Sequence, residues 1–163
     1  MGYSWKDLLT IIDALVRSLF TARIFEIERN LYQSGNLDAH FAWIAIKTAK
    51  IDGITDLEGG RDSSRVLKEV KDYAYIPIWD GPIPDKETMD KLWERAKYVN
   101  KLRLVGWKML GHCGGGVNRA SLFNGMVLNL MGYKGRAIVK RIRKERPGAL
   151  TNPEFTRYLE SLI

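Results

Sequence analysis

Three consecutive glycines, Gly114 to Gly116, stand between the stretches "WKMLGHC" and "VNRASLFNGMVLNLM". The first stretch is short and apolar and reads as a buried strand. The second repeats apolar residues at helical spacing. Three glycines offer no side chains to pack and lose much backbone entropy when ordered, so neither regular structure runs through them. The chain must pass from strand through loop to helix here. That transition is the unit from which α/β domains are built.

The remaining sequence alternates in the same way. "RIFEIERNLYQSG" predicts one or two short strands ending at Gly35. "NLDAHFAWIAIKTAK" predicts a helix capped by Asn36 or Asp38. "GITDLE" and "YAYIPI" gather β-branched and aromatic residues between turn signals and read as strands. "DKETMDKLWERAKYVNKL" is a strongly patterned helix, and further helices are expected near 118–131, 135–146 and 153–162. Residues 4–20 place Leu8, Ile12, Leu15 and Leu19 on one helical face, with Ser4 and Asp7 as a capping pair. The expected fold is three-layer α/β, with a central, mostly parallel sheet of four to five strands flanked by helices. Ligands of such sheets sit beyond the carboxyl ends of the strands, which is where Cys113 falls.

A chain of 163 residues suits one domain spanning 1–163, with residues 1–29 as a helical extension packed on a core of residues 30–163. No apolar run is long enough to span a membrane. The N-terminus lacks the order of a signal peptide. One cysteine cannot form an internal disulfide, so a cytoplasmic location is expected. The net charge of +7 favours anionic partners without saying anything about fold.

The loop itself suggests what such a partner is. Glycines let successive N–H groups of Gly114, Gly115, Gly116, Val117, Asn118 and Arg119 converge into an anion nest. The N-terminus of the following helix adds partial positive charge. Arg119 can reach back and grip two oxygens of a phosphate with its planar fork. Cys113 lies at the floor of this cup. Cationic surroundings of this kind favour a thiolate, which is the nucleophilic form. His112 supports the loop.

"HCGGGVNR" is similar to the signature of cysteine-dependent protein tyrosine phosphatases, and the rest of the chain resembles their dual-specificity branch. "NLYQSG" resembles an opening strand of that branch, "GITDLE" a core strand, "YIPIWD" the approach to its general-acid loop, and "RPGALTNPEFTRYLESL" its closing segment. The resemblance covers about 130 residues, from near residue 30 to the end. It implies a phosphatase acting on phosphorylated proteins through a phosphocysteine intermediate, with no metal or other cofactor.

The resemblance also implies Asp80 as general acid. Independently, Trp79 and Asp80 lie between Pro77 and Gly81-Pro82, a stretch too broken for helix or central strand. Asp85 is the runner-up, although with Thr88 it also reads as a helix start. Asp52, Asp56 and Glu58 lie near strand ends and read as structural or solvated.

Two features bear on activity. Most members of the resembled family carry Ser or Thr after the arginine, where this chain has Ala120 and then Ser121. Slower hydrolysis of the intermediate is the expectation, and a non-catalytic phospho-reader is the rival reading. The stretch 134–146 carries Lys134, Arg136, Lys140, Arg141, Arg143, Lys144 and Arg146. It reads first as a solvated helix face over a buried stripe of Ala137, Ile138 and Ile142. RNA is a weaker partner class, which leaves an RNA 5′-triphosphatase as a further alternative.

Overall fold

The computed structural model describes residues 23–37, 42–59 and 64–163. The helix expected over 4–20 and its packing on the core lie outside the described residues, as does the proposed cap Asp38. Strands β1 (Phe25–Glu28) and β2 (Leu31–Ser34) form an antiparallel pair. Their tight connection puts Asn30 at a φ of 62°, which Asn tolerates better than most residues. Helix α1 (Ala42–Ala49) leads to β3 (Gly53–Asp56), and helix α2 (Ser64–Glu69) to β4 (Asp72–Tyr75). The long helix α3 (Lys86–Leu104) leads to β5 (Met109–His112). Helices α4 (Arg119–Leu130), α5 (Arg136–Glu145) and α6 (Pro153–Glu160) complete the chain.

The sheet order is β1-β2-β5-β3-β4, with every pair parallel except β1 with β2. Successive side chains of β5 point to opposite faces. Met109 enters the larger core, with α3 to α6, and Leu110 enters the smaller one, with residues of α1 and α2. This is the expected three-layer arrangement. The chain moves outward from β2 to β3 and β4, then returns to place β5 between β2 and β3. The carboxyl end of β5 is thus central and opens on the crevice where the winding reverses. Among the described residues, no helix is long and apolar enough to cross a membrane.

Local chemistry explains where elements begin and end. Asp85 caps α3 by accepting from the Thr88 N–H at 2.8 Å, and Glu87 in the first turn with Lys101 and Arg103 in the last complement the helix dipole. Met89, Leu92, Ala96 and Val99 recur at helical spacing and are buried. Arg95, on the same helix, is buried too. It donates to Thr55 Oγ1 (3.0 Å), to Ile54 O (2.9 Å) and to Asp72, tying α3 to β3 and β4.

Strands β3 and β4 are shorter than their sequences suggest. Asp56 Oδ1 accepts the Glu58 N–H at 2.9 Å and turns the chain out of β3. Beyond β4, Ile76 still donates to Asp56 O at 2.9 Å, but Ile78 reaches Leu57 O only at 3.4 Å and one residue out of step, so the regular ladder ends. Helix α2 has no counterpart in the sequence reading. In α5 the buried stripe is Ile138, Val139 and Ile142, while Ala137 is exposed. The expected solvated face is also partly occupied. Arg141 pairs with Glu28 and Glu145, and Arg143 donates to Ala149 O and Leu150 O.

Candidate functional site

The loop after β5 is held by its carbonyl groups. Gly114 O accepts from the Asn36 N–H (2.8 Å), and Gly115 O from Arg146 Nη2 (3.3 Å). Gly116 O accepts from Gln33 Nε2 (3.0 Å) and Arg146 Nε (3.3 Å). Val117 O accepts from the Leu150 N–H (2.9 Å) and Ser121 Oγ (2.7 Å). Each planar peptide unit carries its N–H opposite its C=O. With the carbonyls of residues 114 to 117 turned outward, the N–H groups of residues 115 to 118 turn toward the other side. These are four of the six groups expected to form the anion nest.

Gly116 makes this curvature possible. Its φ is +59°, and an added Cβ would stand 2.5 Å from the carbonyl carbon and oxygen of Ser34. The loop therefore lies against the end of β2 more closely than any side chain permits.

Cys113 directly follows β5 and is 2% exposed. It adjoins the larger core and does not line the groove above it. His112 is buried beside it, with Nε2 3.4 Å from Asp56 Oδ1, and Asp56 Oδ2 accepts from Tyr73 OH at 2.5 Å. Thus β5, β3 and β4 are cross-linked just below the loop. Asp52 sits at the opposite end of the sheet and accepts from Lys71 Nζ (2.7 Å) and Lys108 N (3.0 Å).

Arg119 opens α4 and turns back over the loop. Its Nη1 reaches Leu57 O (3.3 Å) and Ile78 O (3.4 Å), and its Nη2 reaches Glu58 Oε2 (3.0 Å). Its Nε–H is buried and has no acceptor among the described residues. That donor is available to an acceptor. Glu58, read from sequence as solvated or structural, is the carboxylate that orients Arg119. A Cβ on Gly114 would stand 2.6 Å from Glu58 Oε2, so this carboxylate lies over the start of the loop. A charged residue just past a strand gives no sequence signal of such a role.

Arg146, read from sequence as one cation of a solvated helix face, instead binds the loop. Besides its two loop carbonyls, it stacks on Phe25 at 4.5 Å, and Arg23 stacks on the same ring at 5.0 Å. Burial pulls the Arg146 guanidinium below its ordinary value, the Arg23 charge adds to this, and charge on Cys113 opposes it.

A groove of about 420 Å³ lies above, lined by Glu58, Pro77, Ile78, Trp79, Asp80 and Arg119. Trp79 is 80% exposed, an unusual exposure for so large an apolar side chain. Asp80 is exposed and accepts from two amides, Asn118 Nδ2 on Oδ2 and Asn152 Nδ2 on Oδ1, each at 3.0 Å. The structure thus brings Asp80 beside Asn118 of the loop. It leaves Asp85 aside as a helix cap.

Ala120 is fully buried. The Ser121 hydroxyl next to it is committed to Val117 O and to Gln33 Nε2 (2.8 Å). It does not replace a hydroxyl at position 120.

No protein-family model matches the chain. The chain is 29% identical to human dual specificity protein phosphatase 15 over 109 residues, which is 66% of this chain and 36% of that protein. The match spans about a third of the length of that curated relative. Among solved structures, human DUSP28 superposes with a TM-score of 0.70 at 16% identity, covering 83% of this chain and 89% of that one. Tk-PTP in its active form gives 0.71 at 22% identity, covering 86% and 97%. The human tyrosine phosphatase-like serine/threonine/tyrosine-interacting protein gives 0.70 at 16% identity, covering 83% and 92%.

Proposed function

The chain has the dual-specificity phosphatase-like fold of the protein tyrosine phosphatase superfamily, and we propose that it hydrolyses phosphate monoesters on phosphorylated proteins, phosphotyrosine first among them. The observation that carries this is the outward bonding of the loop carbonyls from Gly114 to Val117, which leaves the loop N–H groups and the Arg119 guanidinium to meet an anion. A phosphoryl group in the loop would accept from the N–H groups of Gly114, Gly115, Gly116, Val117, Asn118 and Arg119 and from the guanidinium. Those donors stabilise the charge that spreads over the equatorial oxygens in the transition state.

In the first step Cys113 Sγ forms a bond to phosphorus as the bond to the leaving oxygen breaks, and Asp80 gives that oxygen a proton. In the second step water attacks the phosphocysteine and gives a proton to Asp80. Phosphate leaves and the thiolate is restored. The encounter we propose takes place in the cytoplasm. Cys113→Ser is expected to abolish phenol release from an aryl phosphate while inorganic phosphate still binds. Undiminished release by that variant would remove the nucleophile from the scheme.

One observation favours a second reading. With Ala at 120 and the Ser121 hydroxyl engaged elsewhere, neither position offers a hydroxyl to help sulfur leave. The chain would then act as a slow, phospho-residue-binding protein. A burst of one phenol per chain followed by near silence is its signature, whereas steady turnover from the start supports the hydrolase. For the RNA 5′-triphosphate alternative, the helix 136–145 offers fewer cations than its composition suggests, since Arg141 and Arg143 are occupied within the fold.

A further inference from the structure

Helix α3 ends on a glycine stop. Val105 follows its last residue, and Gly106 takes a φ of +94°. The Gly106 N–H donates to Arg103 O and the Trp107 N–H to Leu102 O, each at 3.1 Å. A stop of this kind is closed by an apolar contact between the residues at the places of Leu102 and Trp107, and here both side chains pack against the larger core. Leu104 and Val105 have no part in that closure. They are 69% and 74% exposed. Trp107 leads into β5, so this apolar pair lies at the amino end of that strand, opposite the glycine loop.

Cations surround the pair. Lys101 is exposed one turn earlier on α3, on the face of Leu104 and Val105. Asn30 donates to Arg103 O and so brings Arg29 alongside. Lys71 lies over the Trp107 ring at 5.3 Å, and Lys108 donates to Ala49 O, next to Lys50. The carboxylates at this end are Asp52, Glu28 and Glu69. Asp52 is engaged by Lys71 Nζ and the Lys108 N–H, and Glu28 by Arg141 and Tyr133. Lys101, Arg103, Arg29 and Lys50 make no ion pair among the described residues.

We propose that this end of the molecule rests on an anionic lipid surface, with Leu104 and Val105 entering the headgroup layer and the cations held against it. Charge selects this occupant over a second copy, because a symmetric contact would set the same cations against one another. Shape selects it over a folded partner. Two projecting aliphatic side chains need no matching pocket in a fluid layer. Each cation near such a surface strengthens partitioning about fivefold, and apolar burial adds to this. The groove lined by Trp79 and Arg119 lies beyond the other end of the sheet and stays open to solution. The lipid is a support and not a substrate.

The test is co-sedimentation of the full chain with vesicles of phosphatidylcholine alone, or of phosphatidylcholine and phosphatidylserine in equal parts, at low and high salt. Binding is expected to the anionic vesicles only and should weaken as salt rises. Leu104→Ser combined with Val105→Ser should lower the partition coefficient about tenfold or more, and Lys101→Ala about fivefold. Both variants should unfold in urea as the parent chain does, since these side chains are mostly in solvent.

Equal binding to the neutral vesicles overturns the proposal, because the cations would then have no role. Anionic binding left unchanged in both variants overturns it as well, by placing the contact elsewhere on the chain. It also falls if the parent chain ignores anionic vesicles, whether it sediments as a monomer or as a dimer that the paired serine changes dissolve.

Discussion

Adding one methyl group to Gly116 tests whether the loop's shape depends on its approach to β2. The Gly116→Ala change imposes two separable costs. A left-handed φ costs a non-glycine residue about 1–2 kcal/mol, and Gly116 sits at +59°. The new Cβ would also stand 2.5 Å from the Ser34 carbonyl, backbone that cannot rotate away as a side chain can. Overlap of this kind costs about 1–3 kcal/mol. The sum is roughly 2–5 kcal/mol, a large part of the stability of about 5–15 kcal/mol typical of one domain. Gly132→Ala provides the control, since Gly132 has a φ of +96° with nothing within 4 Å of the added Cβ. That variant should show the conformational cost alone, about 1–2 kcal/mol.

Urea denaturation measures both. If the loop instead retreats from β2 to relieve the overlap, Gly116 O parts from Gln33 and Arg146 and the cost appears as weaker binding of inorganic phosphate. That loss would be about tenfold for every 1.4 kcal/mol. The reasoning is wrong if Gly116→Ala matches Gly132→Ala within about 0.5 kcal/mol and also binds phosphate as the wild type does.

Other outcomes follow from the same geometry. Arg95→Met strands Asp72 beneath α3 and should cost about 3–5 kcal/mol in urea, most of it recovered by a second change, Asp72→Leu; a loss under about 1 kcal/mol would mean the pair is solvated. Burial pushes the Asp52 carboxyl up, but the Lys71 ammonium and the Lys108 N–H outweigh it and hold the group below its ordinary value. Its stabilisation is therefore complete above the unfolded value of about 4 and is lost as pH falls through the lower folded value. Asp52→Asn should lower stability at neutral pH and flatten its decline in acid below pH of about 4, and an unchanged slope would count against the linkage. Ala120→Ser should shorten the burst and raise steady turnover about tenfold if release of sulfur limits the rate, and an unchanged steady rate would point to another slow step.

The strand, glycine loop and helix around Cys113 were legible because glycines and apolar periodicity are local signals. The same holds for α3, whose cap and buried stripe lie within one segment. Strand ends were less legible: Asp56 turns the chain by a bond to Glu58, and the β4 ladder slips out of step at Ile78. Helix α2 is too short to show a period. The partners that shape the site could not be read at all. Glu58 meets Arg119 across 61 positions and Asp80 meets Asn118 across 38. At each of those positions a solvated charge or a helix cap accounts equally well for the residue type.

The seat of the loop on Arg146 and on the Leu150 N–H places part of its mould downstream of every atom assigned to the chemistry. A polypeptide severed after residue 145 would keep nucleophile, cation and acid yet lose the buttress that turns those carbonyls aside. Proteolytic nicking in that hinge between the last two helices would thus silence the protein without touching a reacting group.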